Sequence, residues 1–453
     1  MDAKELRALF KERGIKKVKV GGFDIDGVLR GKYASLDKFW GMVESGFGFC
    51  DVIFGWDIGD VLYDNAKVTG WATGYPDTHA RIDLSTFRVI PHEPDTAAFL
   101  VDFVTDDGAP HPACPRSLLK SVLAKAHARG YAATFATEFE FFVFKETPES
   151  MREKHFRGMT PLSPGMFGYS WLREGQNSEF CHAILDESEA FDIPIEALHT
   201  ETGPGVYEVA LRYDEALRMA DKAALFKTHL KQLCSRRGLW PTFMAKWSAD
   251  LPGSSGHLHQ SLWTGEGGKK KNAFYDPKTP DDLSAIAKNY LGGQLELMPE
   301  LTALYAPTIN SYKRYVPGVW APLTASWGLE NRTAAIRAIL GGAGGTRLEY
   351  RQTAADINPY VAIATCLAAG LYGIEKKIAP PKASTGDASK PGGSSALPRT
   401  LKEATERLGQ SKAARAILGA PFVDHYARTR DWEVRQYERI VTEWELNRYF
   451  EAV

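Results

Sequence analysis

The segment Ala132–Phe144, AATFATEFEFFVF, alternates strictly between two kinds of side chain. Because successive side chains of a β-strand point to opposite faces, Phe139 and Phe141 fall on one face, and Glu138 and Glu140 fall on the other. Two neighbouring carboxylates repel each other unless a cation or an arginine lies between them. The sequence therefore predicts a strand with a buried aromatic face and an acidic face that needs a positive partner.

Other short segments carry polar pairs that would also share a face or flank a bend. These pairs are Glu201 and Glu208 around the Gly-Pro-Gly of HTETGPGVYEVAL, His257 and His259 in GSSGHLHQSL, and Glu349 and Arg351 in GGTRLEYRQ. Five carboxylates and a histidine can hold two or three hard divalent cations, for which oxygen-rich ligation favours Mg²⁺ or Mn²⁺ over zinc. Such cations offset charge in phosphoryl transfer. Three arginines add positive forks suited to phosphate or carboxylate: Arg314, Arg332 and Arg337.

Each signal also has a plainer interpretation. An isolated Glu-x-Glu on a strand is usually a solvated face, and a single His-x-His is more often a surface or core polar pair than a ligand pair. The glycine run at 341–346 lacks the Lys-Ser/Thr pair of a phosphate loop, which favours a simple turn. No one of these segments decides the function.

Composition narrows the class of protein. Of the 453 residues, 44% are hydrophobic and 25% are charged, which argues against wholesale disorder. The net charge of −1 gives no general attraction to nucleic acid or to an anionic membrane. The five cysteines include no CxxC pair, which argues against a disulfide framework and favours a reducing cytoplasm. The longest apolar run, 361–374, is too short to span a bilayer and predicts a buried helix.

The pattern along the chain predicts an α+β protein with more antiparallel strands than βαβ units. Helices are expected at 1–14, 116–129, 213–237 and 358–377, and throughout the chain beyond 401. Strands are expected in a hairpin over Lys17–Gly31 and at 98–104, 132–144, 241–247, 256–263 and 346–351. The two prolines of HPACP predict a linker near residue 111, and the Pro-, Gly- and Ser-rich stretch 377–400 predicts an exposed loop.

Taken together, the motifs resemble the glutamine synthetase superfamily in order and over most of the chain. The matching segments are TEFEFF, HTETGPGVYEVAL, GSSGHLHQSL, NSYKRYVPGVWAP, ENRTAAIR and RLEYRQTAADINPY. The resemblance implies a small N-terminal β-grasp-like domain, residues 1–110, and a large catalytic domain with a curved antiparallel sheet and flanking helices, residues 111–453. It also implies a homo-oligomer, commonly a dodecamer of two hexameric rings, with each site completed by a neighbour's N-terminal domain.

The resemblance also implies roles for individual residues. One metal ion goes to Glu140, Glu201 and Glu208, and Glu201 also lies at the substrate. A second metal ion goes to Glu138, His257 and Glu349. The ATP phosphates would be bound by His259, Arg332 and Arg337, with Ser261 near the adenine. The substrate glutamate would be bound by Arg314 and Arg351. The implied cofactors are two to three Mg²⁺ or Mn²⁺ ions with ATP as co-substrate. The reaction would form a γ-glutamyl phosphate that an amine then attacks.

The departures from the family pattern concern the amine. Trp320 stands where ammonia-using members carry a glutamate, and Cys50 and Ile53 replace acidic and hydroxyl residues of the ammonium loop. Pro252 replaces an asparagine of the glutamate-binding segment. Loss of anions from an ammonium site weakens its hold on that cation, and an aromatic ring offers apolar contact instead. The pattern is therefore more similar to γ-glutamyl-amine ligases acting on polyamine, alkyl or aryl amines, with polyamine the first expectation.

Three alternatives stay open at this stage. The first is that the chain is an ammonia-using glutamine synthetase, and the second is that it is a non-enzymatic structural member of the superfamily. The third is that Trp320 only packs a loop. If the amine is protonated, the candidate bases are Asp51, Asp57 and Asp60 in the N-terminal loop.

Overall fold

The computed structural model describes residues 2–265, 267, 270–318, 320–388 and 395–453. Its N-terminal part contains two helices and five strands. They are α1 (Ala3–Arg13), β1 (Lys17–Phe23), β2 (Leu29–Ala34), α2 (Leu36–Ser45), β3 (Phe47–Cys50), β4 (Asp77–Ile90) and β5 (Glu93–Val104). Helix α1 begins at a capping box formed by Asp2 and Glu5 and ends at Gly14. The predicted first helix and hairpin are both confirmed.

These five strands form one sheet in the order β2-β1-β5-β4-β3. Strands β1 and β5 run parallel in its middle, and the remaining pairs are antiparallel. Leu6 and Phe10 of α1 pack with Phe39 of α2 and Phe99 of β5 in a buried cluster. The N-terminal part therefore has a hydrophobic core of its own.

The rest of the chain supplies the larger sheet and most of the helices. In chain order its elements are α3 (Pro115–His127), β6 (Ala132–Phe144), α4 (Pro148–Glu153), α5 (Trp171–Gln176), α6 (Ser178–Ala190), β7 (Ile195–Thr200), β8 (Val206–Leu211), β9 (Asp214–Glu215), α7 (Ala216–Ser235), β10 (Trp240–Thr242), β11 (Leu258–Thr264), β12 (Lys271–Asn272), α8 (Ala285–Tyr305), β13 (Trp327–Leu329), β14 (Ile336–Ile339), α9 (Gly342–Gly345), β15 (Arg347–Tyr350), α10 (Pro359–Lys376), α11 (Leu401–Gln410), α12 (Lys412–Leu418), α13 (Ala420–Glu438) and α14 (Glu443–Tyr449). Short 3₁₀ helices lie at Asp51–Phe54 and Asn310–Arg314.

The large sheet curls around the concave face where the acidic strands lie. Its main order is β13-β14-β15-β11-β6-β8-β7, with β9 and β10 paired to β6 and β12 paired to β11. All pairs are antiparallel except β13 with β14. Phe139 and Phe141 of β6 are fully buried, as its alternation predicts. The α+β class with a curved, mainly antiparallel sheet is confirmed.

Helix α10 fills the core behind this sheet. It packs against α8, α3 and α7, and its residues from Val361 to Leu367 are fully buried. The apolar run in the sequence is therefore a core helix, as expected. Within the described part of the chain, no helix is both long and apolar enough to cross a membrane.

Several predicted boundaries change. The strand expected at 241–247 ends at Thr242, because the backbone amide of Lys246 bonds the Asn310 side chain at 2.9 Å instead of a neighbouring strand. Helix α7 starts at Ala216, since the two residues before it form β9 against β6. The glycine run contains one short helical turn, α9.

Most of the described residues of the stretch 377–400 are exposed, as its composition predicts, but the segment also bonds to the rest of the chain. The indole Nε1 of Trp327 donates to the Pro381 carbonyl at 2.7 Å, and the Ser384 amide donates to the Trp327 carbonyl at 2.8 Å. Ala388 and Leu397 are buried. Residues 389–394 of the predicted loop lie outside the described residues.

Candidate active site

Strands β6, β7 and β8 bring four polar side chains together on the concave face. Glu140 lies directly opposite Glu208 across β6 and β8, and Glu208 lies opposite His199 of β7. Glu201 follows β7 directly, so the β7–β8 turn returns the chain to the same place. Gly205 makes this turn possible: its φ is +69°, and a Cβ there would lie 2.6 Å from the Val143 carbonyl oxygen.

A first group of ligand-type atoms forms around Glu138. Its Oε2 lies 3.3 Å from His257 Nδ1, and its Oε1 lies 3.0 Å from His259 Nε2. The same His257 Nδ1 lies 3.5 Å from Glu349 Oε1. One ligand atom each from Glu138, His259 and Glu349 lie within 4.8 Å of one another. Strands β6, β11 and β15 therefore bring two carboxylates and an imidazole together, and the imidazole in this group is His259 instead of the predicted His257.

A second group forms on the β8 side. His199 Nε2 lies 3.5 Å from Glu201 Oε1 and 4.0 Å from Glu208 Oε1. Ligand atoms of these three residues also lie within 4.8 Å of one another. Glu140 joins them through its cross-strand place opposite Glu208, and its Oε2 accepts a hydrogen bond from the Ser255 amide at 2.6 Å.

We call these residues the carboxylate cluster: Glu138, Glu140, Glu201, Glu208, Glu349 and His257. Its electrostatics are strained. Burial raises the pKa of Glu208 to about 10, with repulsion from Glu138, Glu140 and Glu201 adding to the rise. Burial also raises the pKa of Glu140. Carboxylates this close ionise together only when a cation compensates them.

The imidazoles fit the same interpretation. Burial, with Arg351 nearby, lowers the pKa of His257 to about 4, so the ring is neutral at pH 7. Its Nε2 is buried without a hydrogen-bond partner in the described part of the chain. Burial opposes the ionised form of Glu138, but hydrogen bonds with His257 and His259 outweigh it and hold the pKa well below its usual range. Carboxylate oxygens with one or two neutral imidazoles fit a hard divalent cation such as Mg²⁺ or Mn²⁺.

The predicted arginines border this cluster. Arg314 is buried and donates to Ser255 Oγ at 3.0 Å and to the Gln352 carbonyl at 3.1 Å. Arg337 donates to Glu349 at 3.1 Å, and Arg351 forms a very short ion pair with the same carboxylate. Gly256 allows this close packing, since a Cβ there would lie 2.4 Å from the Ala354 carbonyl oxygen.

Other predicted residues lie further out. The Arg332 side chain is exposed, and its carbonyl accepts a bond from Arg351 Nε at 3.1 Å. Ser261 is buried on β11, where its hydroxyl accepts from the Trp263 indole at 3.0 Å. Trp320 is 67% exposed, and within the described ranges no hydrogen bond or ring contact joins it to the carboxylate cluster. The structure brings the metal and glutamate candidates together but leaves Trp320 at the surface.

The N-terminal loop residues have structural partners of their own. Ile53 is buried in the N-terminal core, while Cys50 is exposed. Asp51 accepts a hydrogen bond from Thr69 at 2.7 Å, and burial raises its pKa. Two further acids are also engaged. Asp57 accepts from the Trp432 indole at 3.1 Å, and Asp60 pairs with Arg30 at 2.7 Å.

Three further residues lie at the site and were not predicted from the sequence: His199, Tyr169 and Arg347. The Tyr169 ring lies 4.3 Å from the His199 ring, centroid to centroid. Arg347 Nε donates to His259 Nδ1 at 3.1 Å and so orients that ring. The signal for His199 was present, because it stands two residues before Glu201 in an alternating segment and so shares its face.

With this geometry described, comparisons with known proteins are informative. Residues 112–449 match the family model described as the catalytic domain of glutamine synthetase. A type-1 glutamine synthetase 2 of Dictyostelium discoideum is 50% identical over 96% of this chain and 84% of its own length. A glutamate–isopropylamine ligase of a Pseudomonas species is 37% identical over 99% and 98% of the two chains. A gamma-glutamylethanolamide synthetase of Streptomyces coelicolor is 36% identical over 100% and 96%.

Solved structures agree with the sequence comparisons. The structure of GmaS without ligand superposes with a TM-score of 0.86 at 28% identity, and it covers 98% of this chain and 99% of that one. The match includes the N-terminal sheet as well as the larger curled sheet, because nearly the full length of both chains is aligned.

Proposed function

The chain belongs to the glutamine synthetase family, and on that premise we propose that it joins glutamate to an organic amine through a γ-glutamyl phosphate. It is a carbon–nitrogen ligase of that family, whose members use ATP and divalent metal ions. The product would be a γ-glutamylamide. The non-enzymatic alternative loses support, because the metal-type ligands and their arginines are all present in the site.

The observation that carries the chemistry is the carboxylate cluster. Glu140, Glu201 and Glu208 would hold one divalent cation, while Glu138, His257 and Glu349 would hold a second. Bound cations would neutralise phosphate oxygens during phosphoryl transfer. We further propose that His199 is a ligand or an orienting group of the first site, because it lies within 4.0 Å of both Glu201 and Glu208.

The arginines would position the two substrates. Arg314 is buried beside Ser255 and Glu140, where its fork suits the α-carboxylate of glutamate, and Arg351 lies next to it. Arg337 and Arg332, with His259, would hold the ATP phosphates, and Ser261 would lie toward the adenine. The γ-carboxylate oxygen of glutamate then attacks the γ-phosphorus, ADP leaves, and the amine displaces phosphate from the carbonyl carbon.

The proposed use of an organic amine is supported by two aromatic residues. Trp320 replaces a family glutamate, and Tyr169 covers His199 at the edge of the cluster. Both rings offer apolar or cation–π contact to an alkyl or aryl amine. The relatives named for isopropylamine and ethanolamide chemistry align with this chain over more than 95% of their own length, which supports the same class of nucleophile.

Deprotonation depends on the amine. A protonated alkylamine has a pKa near that of lysine, about 10.4, so it needs a base, whereas an arylamine is already neutral at pH 7. Asp51, Asp57 and Asp60 remain the proposed candidates. Their hydrogen bonds and ion pair in a single chain mean that one of them would have to exchange its partner before accepting a proton.

We also propose a ring-shaped homo-oligomer, a dodecamer of two hexameric rings, in which the hairpin 24–32 and the loop 49–60 contact a neighbour. Large aromatic side chains that are exposed elsewhere on the single chain support contacts between subunits in general. They include Trp71, Phe167 and Trp171, the last of which is 90% exposed. Multi-angle light scattering tests this, and a fully active monomer would contradict it.

A second candidate function is glutamine synthesis from ammonia. It is favoured by the 50% identity to a protein named as a type-1 glutamine synthetase. The two candidates differ only in the nucleophile, so the same phosphate-release assay separates them.

The deciding experiment compares ammonia with putrescine, isopropylamine, ethanolamine and aniline, each with glutamate and Mg²⁺-ATP. We expect at least one organic amine to exceed ammonia in kcat/KM, and Trp320→Glu to shift the preference toward ammonia. Trp444→Glu, at a similarly exposed tryptophan in α14, serves as the matched control and should leave the preference unchanged. Ammonia turnover equal to or above that of every amine would instead establish the second candidate.

A further inference from the structure

A cavity of about 250 Å³ lies between the N-terminal sheet and helix α7, away from the carboxylate cluster. Strands β1, β2, β4 and β5 supply one wall, and Phe191 with α7 supplies the other. No residue of the carboxylate cluster lines it. The cavity is therefore separate from the site proposed for ATP, glutamate and the amine.

Most of the cavity wall is apolar. Leu29, Ile90 and Leu100 face it from the sheet side, and Phe191 and Leu225 face it from the other side. An apolar cavity of about 150 Å³ is large enough for benzene. The volume here is therefore sufficient for an aromatic ring or a branched aliphatic chain together with one small polar group.

The charged residues that line the cavity are all basic. Lys19, Lys32 and Arg88 line the cavity, and no aspartate or glutamate does so among the residues described. Lys19 is engaged by Glu93 at 2.6 Å, and Lys32 donates to the Gly48 carbonyl at 3.3 Å. Arg88 is the more deeply placed cation, since only 7% of it is exposed.

Two buried groups of this lining have a polar atom without a partner. Arg88 donates to the Thr86 carbonyl at 2.9 Å and pairs with Asp192 at 3.3 Å, but its Nε has no hydrogen-bond partner in the described chain. His229 is 2% exposed, and its Nε2 also lacks one. Burial lowers the pKa of His229 to about 4, so at neutral pH the ring is an uncharged donor or acceptor. Buried polar groups are normally satisfied, so these two retain hydrogen-bonding capacity for a ligand.

We propose that this cavity is a second ligand site, which binds a small monocarboxylate with an aromatic or branched aliphatic body. The apolar walls would hold the body, and Arg88 with His229 would bind the carboxylate. A charge-assisted bond to a guanidinium is about twice as strong as a neutral one, so the acid should be preferred over its amide. This inference does not depend on which amine the enzyme uses.

The test is saturation-transfer NMR on the full chain with benzoate and phenylacetate as probes and benzamide as the uncharged control. Saturating glutamate is included, so that binding near Arg314 and Arg351 does not contribute. We expect benzoate to bind at least about tenfold more tightly than benzamide. Thr228→Phe fills the cavity from α7 and should abolish binding, whereas Ser235→Phe, on the exposed side of the same helix, should not.

Arg88→Met should weaken benzoate binding by about tenfold or more, and Arg88→Lys should retain part of it. Circular dichroism tests whether each variant is folded. If Arg88→Met is unfolded, the proposal is decided by Thr228→Phe with its control Ser235→Phe and by the comparison of benzoate with benzamide. Failure of benzoate and phenylacetate to bind the wild type, equal binding of acid and amide, or unchanged binding in Thr228→Phe would each overturn the proposal.

Discussion

Two buried groups of acidic side chains in this chain are balanced in different ways. One lies where α3 meets the N-terminal sheet and contains Asp83, Asp102 and Asp221 around Arg116, and we call it the Arg116 cluster. The other is the carboxylate cluster on the concave face of the large sheet. Comparing them distinguishes charged groups that stabilise the fold from charged groups suited to binding a ligand.

In the Arg116 cluster the protein supplies its own cation. Arg116 bonds Asp221 at 2.9 Å through Nε, Asp102 at 2.6 Å through Nη1 and Asp83 at 2.8 Å through Nη2. Lys120 forms a further short pair with Asp102. Burial opposes the charged form of Arg116, but these carboxylates outweigh it and raise its pKa well above the usual range. Every acid here has a fixed partner, so the cluster joins strands β4 and β5 of the N-terminal sheet to helices α3 and α7.

The carboxylate cluster has fewer protein cations of its own. Only Glu349 forms ion pairs with arginine, whereas across the described chain no lysine or arginine lies within ion-pair distance of Glu140, Glu201 or Glu208. Burial, together with repulsion from the neighbouring carboxylates, raises the pKa of Glu208. A site that costs stability in this way is retained for binding or catalysis, which is how perturbed carboxylates identify functional positions.

The largest expected effect is on the Arg116 cluster. Arg116→Met removes the cation that all three carboxylates share, among them the deeply buried Asp221, so we expect the free energy of unfolding to fall by about 3–5 kcal/mol. Lys120→Met removes a partly exposed cation of the same cluster and should cost less than about 1 kcal/mol. Urea unfolding followed by circular dichroism measures both. Equal losses in the two variants would mean that burial does not distinguish the two cations.

The opposite pattern is expected in the carboxylate cluster. Glu140→Gln removes a metal-type ligand, and we expect phosphate release with glutamate and amine to fall by about a hundredfold or more, since even outer partners of a metal site matter by 10–100-fold. Metal-free stability should be unchanged or slightly higher, because repulsion with Glu201 is relieved. A folded Glu140→Gln enzyme with wild-type activity would remove this residue from the site.

A smaller effect concerns pH in the Arg116 cluster. Burial opposes ionisation of Asp83, but Arg116 and Ser85 outweigh it and lower its pKa. The unfolded chain therefore binds the proton more readily, and the stability from Asp83 is present above about pH 4 and lost as pH falls further. We expect Asp83→Asn to cost about 1 kcal/mol at pH 7 and less at pH 3, where more of the Asp83 carboxyl is protonated.

The control for this measurement is Asp106→Asn at an exposed carboxylate outside the cluster. Its difference from wild type should be small at both pH values. If the cost of Asp83→Asn is the same at pH 3 and pH 7, the pairing with Arg116 contributes nothing to stability.

Much of the fold followed from local patterns in the sequence. The alternation of Ala132–Phe144 predicted β6 to the residue, and the apolar run predicted α10 within one residue at each end. Strand β10 was overestimated because Lys246 bonds Asn310, a residue distant in the chain. The Arg116 cluster was not predicted, since Arg116 and Asp221 are separated by 105 positions and only folding brings them together.

The site was predictable where residues share a short segment. Glu138 with Glu140 and His257 with His259 follow from strand alternation, and the family resemblance connected the segments. His199 was missed because a lone histidine carries little signal until Glu201 and Glu208 are seen beside it. Trp320 shows the opposite limit of prediction from sequence. Its position in the motif predicts a role, but within the described residues its contacts do not include the carboxylate cluster.

The most direct test of the central claim is to count the divalent cations that the carboxylate cluster binds. Mn²⁺ is titrated into the full chain, and free Mn²⁺ is followed by electron paramagnetic resonance. Wild type should bind at least two ions per chain, Glu140→Gln should bind fewer, and Lys120→Met should match wild type. No Mn²⁺ binding by wild type, or the same stoichiometry and affinity in Glu140→Gln, would contradict the account.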